Sequence, residues 1–270
     1  MGAQGGGEAS AAAALGRQIA GMLDPLPGPL TVPERSRMQT APLAAPPAGA
    51  AGPTPAAVMV ILLAASGAQG GNDAESLRSL AADMRVILTV RRAELRRHAG
   101  EVALPGGRQD PRDAHLLETA LRESEEELGL ARSRLLPVGA LAPARTIATN
   151  YLVSPFVSLL AESPASAPAR SASPPSADVQ TDACEHAQIA TLGLRPSPAE
   201  VAQVLTPTLA QIASGGGEHQ LTRRGITFRT PVFAVGEHVI WGLTYRVLSD
   251  LLERLSLGAP APAHLREPGA

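Results

Sequence analysis

A chain of 270 residues that is 44% hydrophobic can bury a core, yet 26 Gly and 25 Pro, gathered near the start and in one internal stretch, leave a single folded domain of about 150–180 residues as the expectation. A net charge of −2 excludes a nucleic-acid binder that works by broad phosphate neutralisation, and 2% aromatic residues exclude base-stacking platforms. The single cysteine, Cys184, excludes an internal disulfide and a cysteine-based zinc site and is compatible with a reducing compartment; every basic residue is arginine, as a GC-rich coding sequence would produce.

In chain order, Met1 to Gly7 is low-complexity, and Leu15, Ile19 and Leu23 mark a short amphipathic helix ending before Pro25. That helix is expected to pack on the domain or on a second subunit, the latter giving a homodimer. Pro29 to Pro55 reads as a Pro/Ala-rich linker. The longest apolar run, Ala56 to Ala65, falls short of the roughly 20 residues of a membrane span. There is no basic segment followed by an apolar one as in a secretory leader, and Gly6 breaks the myristoylation pattern, so a cytoplasmic location is expected.

Ala57 to Ala65 suits a strand buried on both faces, Glu75 to Ala82 a short helix, and Arg85 to Val90 a second strand. Arg91 to Gly100 is basic. It reads either as a solvated turn or as an anion pocket in which Arg96 or Arg97 and His98 meet phosphates. Val102 to Leu104 then leads as a short strand into Pro105-Gly106-Gly107, an ordinary turn or a place of close backbone approach.

The next stretch is the most constrained. Asp113 is a candidate N-cap, Leu116, Leu117, Ala120, Leu121 and Leu128 recur at helical spacing, and Gly129 stands where a helix ends, predicting a helix over 114–128. On it Glu123, Glu126 and Glu127 share one stripe, away from the apolar face. Stacked like charges cost about 0.2–0.5 kcal/mol per pair, and acids in the last turn oppose the helix dipole by about 0.3–1 kcal/mol each. Arg122 alone does not neutralise three carboxylates. Hard oxygen donors converging on one face suit Mg²⁺ or Mn²⁺.

Downstream, Leu135 to Ala142 and Tyr151 to Leu160 read as strands, with Pro155 implying an edge or a bulge in the second. Ser163 to Ala187 resembles an inserted Ser/Ala/Pro-rich surface loop. Two readings of the following segment stand side by side. Either Ser197-Pro198-Ala199-Glu200 opens a helix running through Ala213, or Val201 to Leu205 is a strand and Thr206-Pro207 caps a shorter helix, leaving Glu200 free near the acidic face. Ser214 to Gly217 reads as a turn, Ile226 to Phe233 as strand material, and Leu243, Val247, Leu248, Leu251, Leu252 and Leu255 as the apolar face of a last helix.

Gly107, Arg122, Glu123, Glu126, Glu127, Gly129 and Leu130 resemble the Nudix box, G-x5-E-x7-R-E-U-x-E-E-x-G-U with U aliphatic. Asp113 replaces the early glutamate, the gap to Arg122 is one residue longer, and Ser124 stands at an aliphatic position. The longer gap is shared by the coenzyme A diphosphatase subgroup, whose extended signature is matched by Ile87-Leu88-Thr89, Arg91, Leu95-Arg96, His98, Gly100, Val102, Pro105-Gly106-Gly107, Asp110, Asp113, Thr119 to Glu123, Glu126-Glu127 and Gly129.

This resemblance implies an α/β fold of the Nudix type, an α/β/α sandwich with a mixed sheet in a single domain over 56–258. Low-complexity extensions at 1–55 and 259–270 and an insertion at 163–187 would surround it. It implies Mg²⁺- or Mn²⁺-dependent hydrolysis of coenzyme A to 3′,5′-ADP and 4′-phosphopantetheine, with Glu123, Glu126 and Glu127 as metal ligands and Arg122 orienting a carboxylate. Arg96, His98, Gly106 and Gly107 would bind substrate, and Glu200 is a further candidate acid or ligand. The rival expectations are a Nudix hydrolase of ADP-ribose, a dinucleotide or a nucleoside triphosphate, and a silent Nudix-like binding module. Retention of all three box glutamates argues against the second.

Overall fold

The elements run in the order β1 (Thr54–Leu63), α1 (Ala74–Asp83), β2 (Arg85–Arg91), β3 (Val102–Ala103), β4 (Gly106–Arg108) and α2 (Leu116–Leu128). They continue as β5 (Leu135–Ala140), β6 (Ala144–Arg145), β7 (Tyr151–Leu160), β8 (Val201–Leu205), α3 (Leu209–Ser214), β9 (Gly216–Arg223), β10 (Ile226–Val235), β11 (His238–Ile240) and α4 (Gly242–Arg254). The fold is that of a computed structural model describing residues 16–26, 52–63, 74–94, 100–146, 149–161, 191–223 and 225–258.

β1 is central because it is apolar on both faces. Ala57, Met59, Ile61 and Leu63 point into one core, and Ala56, Val58, Val60 and Leu62 into the other. It pairs in parallel with β7 and antiparallel with β2. The resulting mixed sheet has eight strands, ordered β3-β2-β1-β7-β5, with β4 paired to β1, β6 to β7 and β8 to β2. α2 brings Ala120 and Leu128 to the first core, where they join Met59, Ile61 and Phe156. On the opposite face lie α3, through Leu209 and Ile212, and α4, through Tyr245, Leu248, Leu251 and Leu252. This is the α/β/α sandwich with a mixed sheet that the sequence implied, in one domain. Among the described residues no helix is long and apolar enough to cross a membrane.

The N-terminal helix packs on this domain. Residues 16–20 are helical, and Ile19 and Leu23 are buried in the core on the α4 side. Asp24 exchanges backbone hydrogen bonds with Ala140 (3.0 and 2.8 Å), and its carboxylate accepts both terminal nitrogens of Arg254 (3.1 and 3.0 Å). Leu15, most of the linker, the insertion at 163–187 and the tail at 259–270 lie outside the described residues.

Four local expectations are changed. Pro155 is at neither an edge nor a bulge, because β7 runs between β1 and β5. Its ring, which has no N–H to donate, falls where the neighbour on that side changes from β5 to β6, and the bulge in this ladder lies on β5 between Pro137 and Gly139. α2 begins two residues later than expected, with His115 as its cap. The open choice after Ser197 resolves to strand β8 and the short helix α3, but the cap is Thr208, not Thr206-Pro207, because Thr208 and Gln211 form the capping box there (3.0 and 2.8 Å). Finally, Gly216 and Gly217, read as part of a turn, open β9, which joins β10 and β11 in a separate three-stranded antiparallel sheet.

Between β7 and β8 the chain ends of the long connection are drawn together by Arg134, in the 3₁₀ turn Arg132–Arg134. Its guanidinium donates to the Leu192 carbonyl (2.7 Å) and the Ala161 carbonyl (3.3 Å), while its own carbonyl accepts the Ala161 N–H (2.8 Å).

Because Ile19 is 2% exposed in the main core, Ile19→Ala should lower the unfolding free energy by about 2–5 kcal/mol, the usual cost of emptying a buried aliphatic site. Urea denaturation measures this directly, and an unchanged midpoint would mean that the N-terminal helix does not pack on the domain in solution.

Candidate active site

The acidic helix α2 is fixed at both ends by contacts that also shape its carboxylate face. At the start, Nδ1 of His115 accepts the Glu118 N–H (3.1 Å), and the Glu118 carboxylate accepts the Ala114 N–H (2.6 Å). At the end, Gly129 takes φ 65° and donates to the Glu125 carbonyl (2.9 Å). The segment leading into β8 supplies two more donors, Arg195 N–H to the Leu128 carbonyl (2.7 Å) and Ser197 N–H to the Glu127 carbonyl (2.8 Å). Ser124, where an aliphatic residue was expected, is fully buried, and its hydroxyl donates to the Ala120 carbonyl one turn back (2.7 Å). The polar group is thereby satisfied inside the core.

Asp113, freed from the capping role, anchors Arg122. The guanidinium forks onto both oxygens of Asp113 (3.0 Å each), and the same carboxylate accepts the Thr119 hydroxyl (2.9 Å) and the Asp110 N–H (3.0 Å). Arg122 holds Asp113 below the ordinary aspartate range, and Asp113 in return raises Arg122. The remaining donors of Arg122 reach Glu123 (2.9 Å), Glu126 (2.9 Å) and the Arg108 carbonyl (3.3 Å). Arg122 thus orients two of the three box glutamates and ties them to β4.

β4 presses its backbone against the same carboxylates. A Cβ at Gly107 would lie 2.5 Å from Oε1 and 2.6 Å from Cδ of Glu123, and a Cβ at Gly106, whose φ is 153°, would overlap the backbone of Ala57 and Val58. Close packing against the β1 backbone therefore demands glycine at 106, whereas any side chain at 107 would push the Glu123 carboxylate aside. Burial pushes the Glu123 carboxyl up against the pull of Arg122, with Glu126 and Glu200 adding to the rise.

Glu127 is the most enclosed of the three, 3% exposed. Burial raises its carboxyl to about 8, opposed first by Arg91; Glu123 and Glu200 raise it further, and the Gly106 N–H favours the anion. Its Oε1 lies 3.5 Å from Nη1 of Arg91, and its Oε2 is buried with no hydrogen-bond partner. Glu126 is the outermost, with 58% of its side chain exposed. Glu200 precedes β8 and is exposed, yet near enough to act on both Glu123 and Glu127. Arg92 secures this segment, its N–H donating to the Glu200 carbonyl (3.0 Å) and its guanidinium to the Pro198 carbonyl (2.8 Å).

The structure thus brings together Arg122, Glu123, Glu126, Glu127, Gly106, Gly107 and Glu200. Arg96 and His98 lie outside the described residues. Asp113 as an anchor and Arg91 as the ion-pair partner of Glu127 were not anticipated. Among the described residues no three acidic or imidazole side chains already stand as a finished ligand set, since arginines hold the glutamates. The donor chemistry still fits a hard divalent cation: carboxylate oxygens on one face, one of them buried without a partner, beside a cradle that a Cβ would fill.

The family described as NUDIX domain matches residues 79–201, spanning β2 to the start of β8 and hence every element of this site. The chain belongs to the Nudix hydrolases. It is 34% identical over 174 residues to the uncharacterized Nudix hydrolase NudL of Photorhabdus laumondii, covering 64% of this chain and 78% of that one. To NudL of Escherichia coli O1:K1 it is 32% identical over 168 residues, covering 62% and 72%. A MutT/Nudix family protein from Enterococcus faecalis aligns over 95% of this chain and 76% of its own, with TM-score 0.42 and 13% identity. The protein is accordingly a hydrolase of anhydride bonds in nucleoside diphosphate derivatives, a family activity that generally uses Mg²⁺ or Mn²⁺.

Two outcomes are expected. Gly107→Ala displaces the Glu123 carboxylate, and turnover should fall on the order of a hundredfold while circular dichroism is unchanged; wild-type turnover would dismiss the close approach. In chelator, the folded protein keeps a proton on Glu127 that the unfolded chain releases, so stability should decline as pH rises from 4.5 towards about 8. Melting temperatures across that range should lose this slope in Glu127→Gln.

Proposed function

We propose that the protein hydrolyses the pyrophosphate of coenzyme A or its derivatives to 3′,5′-ADP and 4′-phosphopantetheine in the cytoplasm. The observation that carries the reading is where the two described residues that flank the basic stretch, Arg91 and Gly100, stand. Gly100 N–H donates to the Arg91 carbonyl (3.0 Å) and Arg91 N–H to the Glu101 carbonyl (3.0 Å), and the same Arg91 faces Glu127. The segment with Arg96 and His98, the part of the extended signature specific to the coenzyme A subgroup, is thus bounded in sequence by residues at the edge of the carboxylate face. A substrate with a pyrophosphate on that face can present its further phosphate to this segment.

In this reading Glu123 and Glu127 are the principal metal ligands, Glu126 is a ligand or the base that orients water, and Glu200 is an additional acid or ligand. Bound Mg²⁺ or Mn²⁺ supplies charge neutralisation at the anhydride and a more acidic water. Arg122 fixes the directions of Glu123 and Glu126. Gly106 and Gly107 let the backbone of β4 approach the reacting phosphates, and Arg96 and His98 hold the nucleotide phosphates. Water attacks one phosphorus in line, and the bond from that phosphorus to the bridging oxygen breaks.

The test is turnover of coenzyme A, ADP-ribose and diadenosine polyphosphates by the purified protein in Mg²⁺ or Mn²⁺, with products separated by chromatography. Coenzyme A should be cleaved fastest, to the two named products. Equal or faster cleavage of another substrate would overturn the coenzyme A assignment and favour the ADP-ribose or dinucleotide reading. Glu127→Gln should fold and lose activity by at least on the order of a hundredfold, since even outer partners of a metal site carry up to that much.

A further inference from the structure

Two arginines serve the acidic face, and they are held in opposite ways. Arg122 is bonded to three carboxylates and a carbonyl at 2.9–3.3 Å. Arg91 stands off. Its Nη1 is 3.5 Å from Oε1 of Glu127, longer than the roughly 2.7–2.9 Å of a charge-assisted hydrogen bond, and among the described residues its buried Nε has no acceptor and the buried Oε2 of Glu127 has no donor. A fork between the two side chains would satisfy both orphaned atoms at once, and it is not formed. The backbone explains why: Arg91 is pinned through both its N–H and its carbonyl to 100–101, and the ladder to β8 shifts register between Val90 and Arg91. The guanidinium is placed to offset the charge of Glu127 without covering it.

We propose that Arg91 is a stand-in counter-ion, balancing the buried Glu127 carboxylate while Oε2 stays open, and that it is displaced from Glu127 as a divalent cation takes the carboxylate. The inference rests on reading Glu127 as a metal ligand. It has a signed consequence. Two cations on one carboxylate repel each other, so Arg91 opposes metal binding even as it keeps the metal-free site electrically matched. A residue that merely steadied the Glu127 side chain would do the reverse, and its loss would weaken binding.

The experiment is Mn²⁺ binding, followed by electron paramagnetic resonance, to the full-length wild type, Arg91→Met, Arg91→Lys and Glu127→Gln, together with thermal melting in chelator at pH 8.5, where the metal-free Glu127 has given up its proton. Arg91→Met should bind Mn²⁺ on the order of tenfold more tightly. Its metal-free form should melt below wild type, with the deficit closing as Mn²⁺ saturates the site. Arg91→Lys, which keeps a cation, should return towards wild-type affinity. Unchanged or weaker binding in Arg91→Met overturns the proposal; if that variant does not fold, Arg91→Gln is read the same way. Wild-type Mn²⁺ affinity in Glu127→Gln would instead sink the ligand reading itself, whereas lost binding there with unchanged binding in Arg91→Met sinks the role of Arg91 alone.

Discussion

The constraint on which this structure turns is a carboxylate enclosed between a helix and a sheet. An ionised side chain removed from water must be matched by positive charge or protonate, and Glu127 uses both answers: burial raises its carboxyl to about 8, and Arg91 reaches it through a strand from the other side of the site. That need explains why Arg91, at the end of β2, faces the acidic helix α2 although separate from it in sequence. It also explains why a second, tighter ion-pair knot at Arg122 is required. Glu123 and Glu126 lie about one turn or less from Glu127, and without Arg122, which Asp113 holds in place, two further like charges would stand unrelieved near the C-terminal end of the helix.

Much of the sandwich was legible because its elements are periodic. β1 is apolar from Ala56 to Leu63, β7 is apolar apart from Ser154 and Ser158, both lie in the sheet interior, and Leu248, Leu251 and Leu252 of α4 are buried in the core. Failures came where two local rules competed. Asp113 satisfies the rule for an N-cap, yet an arginine nine residues on claims its carboxylate, and His115 caps instead. Ser197 with Glu200 and Thr208 with Gln211 are both capping-box patterns; tertiary burial of Val201, Val204 and Leu205 as a strand leaves only the second free to open a helix. β9 had no signal to read, since most of its residues are exposed and no alternation marks them.

The carboxylate face was readable from spacing alone, because three glutamates at helical separation have one geometry. Its arginine partner was not, since a basic cluster does not say which member turns inward. A parity argument would have found it. Ile87 lies in the core beneath α2, and alternate residues of a strand share a face, so Arg91 falls on the side of the acidic helix while Arg92 falls away. Ser124 shows the converse: a polar residue at an apolar position was compatible all along, because the carbonyl one turn back accepts its hydroxyl.

The clasp at Arg134 has a consequence for how this chain can vary. The segment that carries Glu200 to the carboxylates is fastened to α2 through Arg195 and Ser197 and to β2 through Arg92, and just upstream Arg134 joins Leu192 to Ala161. Everything between those two joined residues is closed off before the segment begins. The closure entropy of a connection grows only with the logarithm of its length. The position of Glu200 is set by these contacts downstream of the clasp rather than by the length of chain that precedes it.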